Sequence, residues 1–252
     1  IELGFRNNTF FNTQLNGEHN FASLKSKLNW YGSFTILDQY VPQQRRIQYN
    51  QAADHADAPF LALLSNTLSQ KTGSVFYQNL NDYNYNAGGD ITTNFKIGNQ
   101  RQLVKAGYSL QIKDRLFDAR PFSIYLPTDN PALRSLDPSQ IFAPQNFGTA
   151  SNQFHVDEIA GIYFRYLANS ILNAGYLQFD NNVADWLRIV WGVRYEHFDQ
   201  LVGSTRPADP RYNYSVVSDF LPAINATFKI NNTSNIRAAI SQTVVRPEFR
   251  EL

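Results

Sequence analysis

The chain is organised around Asn181–Leu252, and the decisive part of that stretch is Leu187-Arg-Ile-Val-Trp-Gly-Val-Arg-Tyr-Glu196. Leu187, Ile189, Trp191, Val193 and Tyr195 alternate with Arg188, Val190, Gly192, Arg194 and Glu196. Successive side chains of a strand point to opposite faces, so the segment predicts a strand with one apolar and one mostly polar face. The split recurs downstream. Pro222, Ile224, Ala226, Phe228 and Ile230 share one parity, against Asn225, Thr227 and Lys229. Beyond Asn231-Asn232-Thr233, Ile236, Ala238 and Ile240 oppose Asn235, Arg237, Ala239 and Ser241. Two alternating strands about an Asn-rich turn predict a hairpin. Its last strand is expected to run on through Ser241-Gln-Thr-Val-Val-Arg-Pro-Glu-Phe-Arg-Glu-Leu252.

Working back to the N-terminus, Ile1–Gly17 alternates, turns near Asn20–Ser23, and resumes with Leu24, Leu28, Trp30, Phe34 and Ile36 against Lys25, Lys27, Asn29, Ser33 and Thr35, ending near Tyr40. The longest run sets Tyr83, Tyr85, Ala87, Gly89, Ile91, Thr93, Phe95 and Ile97 against Asn84, Asn86, Gly88, Asp90, Thr92, Asn94 and Lys96. At about 3.3 Å per residue that is about 50 Å of strand, where ordinary strands hold about five or six residues. A turn at Gly98-Asn99-Gln100 leads into Val104–Lys113, and a strand without assignable faces covers about Asn169–Asp180. About eight strands result. The regions 41–73, 114–168 and 202–216 are expected to be long loops, with a short helix over Pro59–Leu68 stopped by Gly73. Asp54-His55-Ala56-Asp57 could offer hard oxygens and an imidazole to a metal, but no second ligand cluster completes a shell. It reads as a solvated loop.

Composition narrows the class. The 252 residues carry a net charge of +1, which calls for no nucleic-acid partner. Charged residues are 17% and aromatics 14%, with 14 Tyr and 19 Phe, a balance suited to wide β surfaces. There is no Cys, so no disulfide frame and no thiolate site. No apolar run approaches the ~18 residues of a membrane helix. The chain opens at Ile1 and holds no Met, which is read as a fragment or processed piece.

The connections near 21, 99, 183 and 232 are short, and those at 41–73, 114–168 and 202–216 are long. In an up-and-down meander this puts all short turns at one end and all long loops at the other. With long alternating strands, the pattern predicts an all-β, antiparallel transmembrane barrel. Lipid offers no hydrogen-bond partners, so only helices or closed sheets cross it. Trp186 and Tyr40 fit interfacial girdles. A soluble sheet with one wet face also alternates, and that reading stays open. Strand length, basic residues held to one parity and one-sided loop lengths favour the membrane.

Leu221-Pro-Ala-Ile-Asn-Ala-Thr-Phe-Lys229 and Asn235–Leu252, with its Ser-Gln-Thr…Arg-Pro-Glu-Phe-Arg-Glu run, resemble the barrel of TonB-dependent outer-membrane receptors, particularly those of Bacteroidetes type. Ala174-Gly-Tyr-Leu-Gln-Phe-Asp180 with Leu187–Glu196, Ile1–Arg6 and Leu15–Phe21 are similar to the same family's strands. The resemblance covers most strands but not the long loops. It implies residues 1–252 as part of one barrel of about 22 strands, with signal peptide, TonB box and plug outside this chain. It also implies uptake of a scarce ligand (siderophore, glycan, peptide or similar) driven through TonB. The partners implied are outer-membrane lipid, the plug of the same polypeptide, the TonB complex, a small-molecule or oligomeric ligand, and a possible surface lipoprotein. No cofactor is implied. A passive porin, another class of outer-membrane barrel, or a soluble binding or adhesion module are the alternatives.

Lys25, Lys27, Asp90, Lys105, Lys113, Arg188, Arg194, Glu196 and Arg237 lie on the polar parity and are the candidate lumen groups, for plug docking, ligand passage or plain wetting of the interior. Tyr77, Phe122 and Tyr125 are candidate ligand contacts of the external loops, or a small core of those loops. Arg246, Glu248 and Arg250 are expected to pair with neighbouring strands. His19, His55, His155 and His197 are scattered, no nucleophile or phosphate-loop motif appears, and no enzyme is expected.

Overall fold

A computed structural model describes residues 1–53, 57–69, 73–231 and 233–249. Ten strands form one sheet: β1 (Glu2–Phe21), β2 (Ser26–Asn50), β3 (Leu61–Leu63), β4 (Gly73–Ile97), β5 (Gln100–Tyr125), β6 (His155–Glu158), β7 (Arg165–Ala184), β8 (Leu187–Gly203), β9 (Asn213–Lys229) and β10 (Asn235–Ser241). Eight lie along the path β1-β2-β4-β5-β7-β8-β9-β10, while β3 and β6 attach beside β2 and β5. The eight expected strands are these eight, each beside its neighbour in sequence. No helix of the described residues is long and apolar enough to cross a membrane.

The short connections are made by the residues that turns require. A single 3-10 turn, Ala22–Leu24, is closed by Lys25 at φ 49°. Gly98 takes φ 59° between β4 and β5. Between β9 and β10, Asn231 Oδ1 accepts from both the amide and the hydroxyl of Thr233 at 2.9 Å, an Asx turn that fixes the hairpin.

Four expectations change. β2 runs ten residues past Tyr40, because the polar run Gln43–Arg46 hides its alternation; Tyr40 is therefore within a strand rather than at its end. β5 runs to Tyr125 through Pro121, whose free carbonyl accepts from Ile159 N at 2.9 Å while β6 pairs with the following residues. Tyr77, Phe122 and Tyr125 consequently sit on β4 and β5, not on loops. Leu61–Leu63 of the expected helix is strand β3, drawn into extended pairing by Gln48–Asn50 of β2. The last strand ends at Ser241, and residues 242–249 leave the sheet.

Two compact units follow. The first comprises Ile1–Thr9, Leu37–Asn81 and Leu116–Tyr166. It has its own core of Ile47, Ala62, Val75, Ile124, Leu126, Ile141 and Phe154. The proline-rich connection folds onto that core. Asn130 caps a one-turn helix, α1 (Pro131–Arg134), whose Pro occupies the first position, where no N–H is needed. Arg134 Nε donates to Ala62 O at 2.8 Å, and Tyr49 Oη to Leu136 O at 2.9 Å. The second unit comprises Phe10–Ile36, Asp82–Arg115 and Leu167–Leu252.

Candidate functional site

The second unit is two-faced. Register places Phe179 beside Trp191, Trp191 beside Ile224, and Ile224 beside Ile240. Successive rows on that face are Leu187–Phe228–Ile236, Ile189–Ala226–Ala238, the Trp191 row, Leu177–Val193–Pro222 and Tyr195–Phe220. From Leu187 to Tyr195 is nine residues, about 26 Å of strand at about 3.3 Å per residue. A tilted strand needs about 9–11 residues to cross the hydrocarbon layer. Aromatic pairs border the band: Trp186 stacks on Phe228 at 6.3 Å, and Tyr195 lies 4.9 Å from Phe220. Past Tyr195 the same face turns polar. His197 shares a hydrogen bond with Ser218 at 2.9 Å, and Tyr214 donates to Asp199 at 2.8 Å. An apolar band about 25 Å tall, edged by aromatics, is what the outside of a membrane barrel presents to lipid.

The opposite face carries paired charge. Lys27 bonds Glu18 at 2.8 Å. Asp90 accepts from Asn29 at 3.1 Å and pairs with Lys105 at 3.3 Å, and Lys105 Nζ lies over the Tyr176 ring at 5.8 Å. Asn86 donates to Ser33 and accepts from Gln111. Arg115 pairs with Asp82, and Arg188 holds Asp180 through two nitrogens at 2.7 and 2.5 Å. Arg194 Nε donates to Glu196 Oε1 at 2.7 Å, while Arg246 bridges Glu196 Oε2 and Asp219 Oδ2 at 2.8 and 3.0 Å.

Of the nine candidate lumen residues, the structure joins Asp90 to Lys105 and Arg194 to Glu196 directly, and gives Lys27 and Arg188 carboxylate partners that sequence reasoning had not singled out. Lys113 and Arg237 follow the polar parity along β5 and β10. Lys25 departs from its expected place in a strand, because it closes the turn before β2 in the left-handed conformation. Glu196 and His197 do bond on opposite faces, one to arginines and the other to Ser218. Asp219 was missed because it lies beyond the alternating segment read as strand, although β9 extends through it to Asn213. Arg246 pairs with neighbouring strands as expected, but from outside the sheet. Asp54–Ala56 of the conceivable metal cluster, and Arg250, lie outside the described residues; among the described residues no group of three or more ligating side chains is assembled.

The first unit holds a cavity of about 560 Å³ lined by Tyr40, Tyr77, Asp118, Arg120, Phe122 and Arg165, among others. Tyr77 meets Phe122 edge-on at 5.7 Å, and Arg120 stacks on Phe122 at 5.2 Å. Arg120 grips Glu158 through two bonds of 2.9 and 2.8 Å and holds its carboxyl below the ordinary glutamate range. Phe122 also packs against the unit's core, so this ring is part of the structural support of the cavity. Tyr125 is turned to Asp157, donating at 2.6 Å.

A lipid-high apolar band on one face and interlocked charges on the other define the wall of an outer-membrane β-barrel. The chain belongs to the TonB-dependent receptor-like β-barrel family, whose model matches residues 2–252, and this places it in the bacterial outer membrane. The matched model describes the family as a whole, without singling out the Bacteroidetes type. Similar solved structures include the ferric-catecholate import receptor Fiu from E. coli K12 (8% identity, TM-score 0.60, covering 94% of this chain and 33% of that one). The siderophore receptor PiuA from Acinetobacter baumannii matches at 10% identity and TM-score 0.55, over 94% of this chain and 32% of that one. The FpvAI–pyocin S2 complex matches at 16% identity and TM-score 0.54, over 90% and 26%. The chain thus spans about a third or less of the length of these proteins. No curated protein matches it.

Proposed function

We propose that the complete protein is a TonB-dependent receptor that imports a scarce ligand, and that this chain supplies part of its barrel wall without catalysing a reaction. The supporting observation is the polar face of the second unit, where charges are tied to one another across strands. Such a face suits a water-filled interior: it stays hydrated, yet its fixed partners leave little mobile charge to trap a passing ligand. On this reading Lys27, Asp90, Lys105, Lys113, Arg188, Arg194, Glu196 and Arg237 face the lumen, with Lys25 at its turn-side rim. The plug of the same polypeptide docks on that face. Tyr77 with Phe122 lines the cavity where a ligand is first met. The ligand class is a siderophore, glycan, peptide or similar molecule, captured together with a surface lipoprotein.

The test uses the full-length protein in cells. Uptake of labelled ferric siderophores, oligosaccharides and peptides is compared with and without a protonophore and with and without TonB. Uptake of one class that collapses in both cases supports the reading. Uptake that persists in both identifies a passive porin and overturns it, and a protein that remains in solution without detergent overturns the membrane wall itself.

A further inference from the structure

We propose that residues 242–249 form a charge-latched strap across the polar face, with Arg246 seated in an acid pair built into the wall. This goes beyond the receptor reading and holds whatever ligand the receptor carries.

The register shows why the segment must leave the sheet. β10 pairs with β9 from Asn235↔Lys229 to Ser241↔Ala223. Continued without a break, that register would set Arg246 opposite Ser218. Ser218 belongs to the face of Tyr195 and His197, both of which bond its hydroxyl. The partners Arg246 actually holds, Glu196 and Asp219, are on the other face. They are register neighbours on β8 and β9, and two carboxylates set directly opposite repel one another. Arg194 satisfies one oxygen of Glu196, leaving the second beside Asp219 with a vacancy for a cation. In the continued register the residue opposite Asp219 is the uncharged Val245, so Arg246 reaches the acid pair by crossing to the polar side.

Gln242 N still donates to Pro222 O at 3.0 Å, in the register of the β9–β10 ladder, and the crossing follows it. The Arg246 guanidinium then lies 4.7 Å from the centre of the Phe198 ring, in cation–π geometry. Gln200 Nε2 donates to Pro247 O at 3.3 Å. Phe249, 5% exposed, sits 5.2 Å from the guanidinium of Arg115. Beyond Gln242 the strap is therefore fastened at Arg246, over β8 and β9, at Pro247, over β8, and at Phe249, over β5. Val245 is 94% exposed and stands clear of the wall.

Thiol accessibility tests the latch in the full-length receptor, in native outer membranes, with any cysteines elsewhere replaced. Phe249→Cys and Val245→Cys are labelled separately with a small water-soluble maleimide. The thiol at 249 should react about tenfold slower than the thiol at 245. Adding Arg246→Ala should raise the rate at 249 by roughly tenfold, because an acid pair stripped of its cation cannot hold the strap. Adding Arg246→Lys should keep much of the protection. The unboiled gel shift of each variant reports the barrel independently, so loss of that shift counts against the receptor reading rather than the strap. With the shift intact, equal rates at 245 and 249, no acceleration by Arg246→Ala, or Arg246→Lys behaving as Arg246→Ala would each overturn the proposal.

Discussion

Trp191 occupies the central row of the apolar band, its ring stacked on Phe179 at 4.5 Å, with Nε1 donating to Asn181 at 2.9 Å. A cation at the middle of the hydrocarbon layer costs about 2–4 kcal/mol on the lipid face of a barrel. Trp191→Arg should therefore lower the unfolding free energy of the full-length receptor in lipid by at least about 2 kcal/mol. Val190, one residue away, points to the polar face beside Asp180. Val190→Arg should change stability by less than about 1 kcal/mol; equal penalties for both would mean that the faces are misassigned. Acid sensitivity is a second residue-scale property. Arg211 donates side-chain and backbone N–H groups to Asp209 in the loop after β8, and these bonds hold the Asp209 carboxyl well below the usual aspartate range. A depressed folded-state pKa contributes stability that is present above the unfolded value, about 3.9, and is lost as pH falls through the folded value. Hydrogen exchange at Arg211 and Tyr212 should stay constant from pH 7 to about 4, after correction for the intrinsic rate, and rise only in stronger acid. A rise near pH 5 would contradict this pairing.

Elements depend on a few backbone positions. Gly203 ends β8 at φ 95°, and a β-carbon there would run into the Arg211 carbonyl. Gly32 in β2 has open space around its β-carbon position and no positive φ. Gly203→Ala should cost about 1–2 kcal/mol or more in chemical unfolding, whereas Gly32→Ala should be neutral or gain up to about 1 kcal/mol. Legibility also varied by element. β8, β9 and the central parts of β4 and β5 were readable because each buries or wets one face only. The distal ends of β2 and β5 were not. Residues 116–125 mix apolar and polar groups on both parities, and their far end packs into the core of the first unit. Alternation marks a strand only while one side of it is wet.

At the largest scale, among the described residues, the path of strands begins at β1 and finishes at β10, each with a single neighbour on it. Open edges present unpaired backbone groups, which hydrocarbon does not tolerate and which in water template association. The 252-residue chain produced alone should therefore fail to give the fast-migrating unboiled species that the full-length receptor gives, and should aggregate without detergent; a monodisperse, heat-modifiable product from the isolated chain would contradict an open wall. The faces of the main strands other than β7 and the order of the turns were determined by the sequence alone, because the period of two and the turn residues are local signals; the class of protein was legible only through the resemblance of particular stretches to a known family. Tertiary structure decided the rest. It supplied the carboxylate partners of Lys27, Arg188 and Arg246, the folding of the proline-rich connection onto its own core, and the departure of residues 242–249 from the sheet. Each of these depends on contacts between residues far apart in the chain, and the opposition of Glu196 to Asp219 exists only once β8 and β9 are in register.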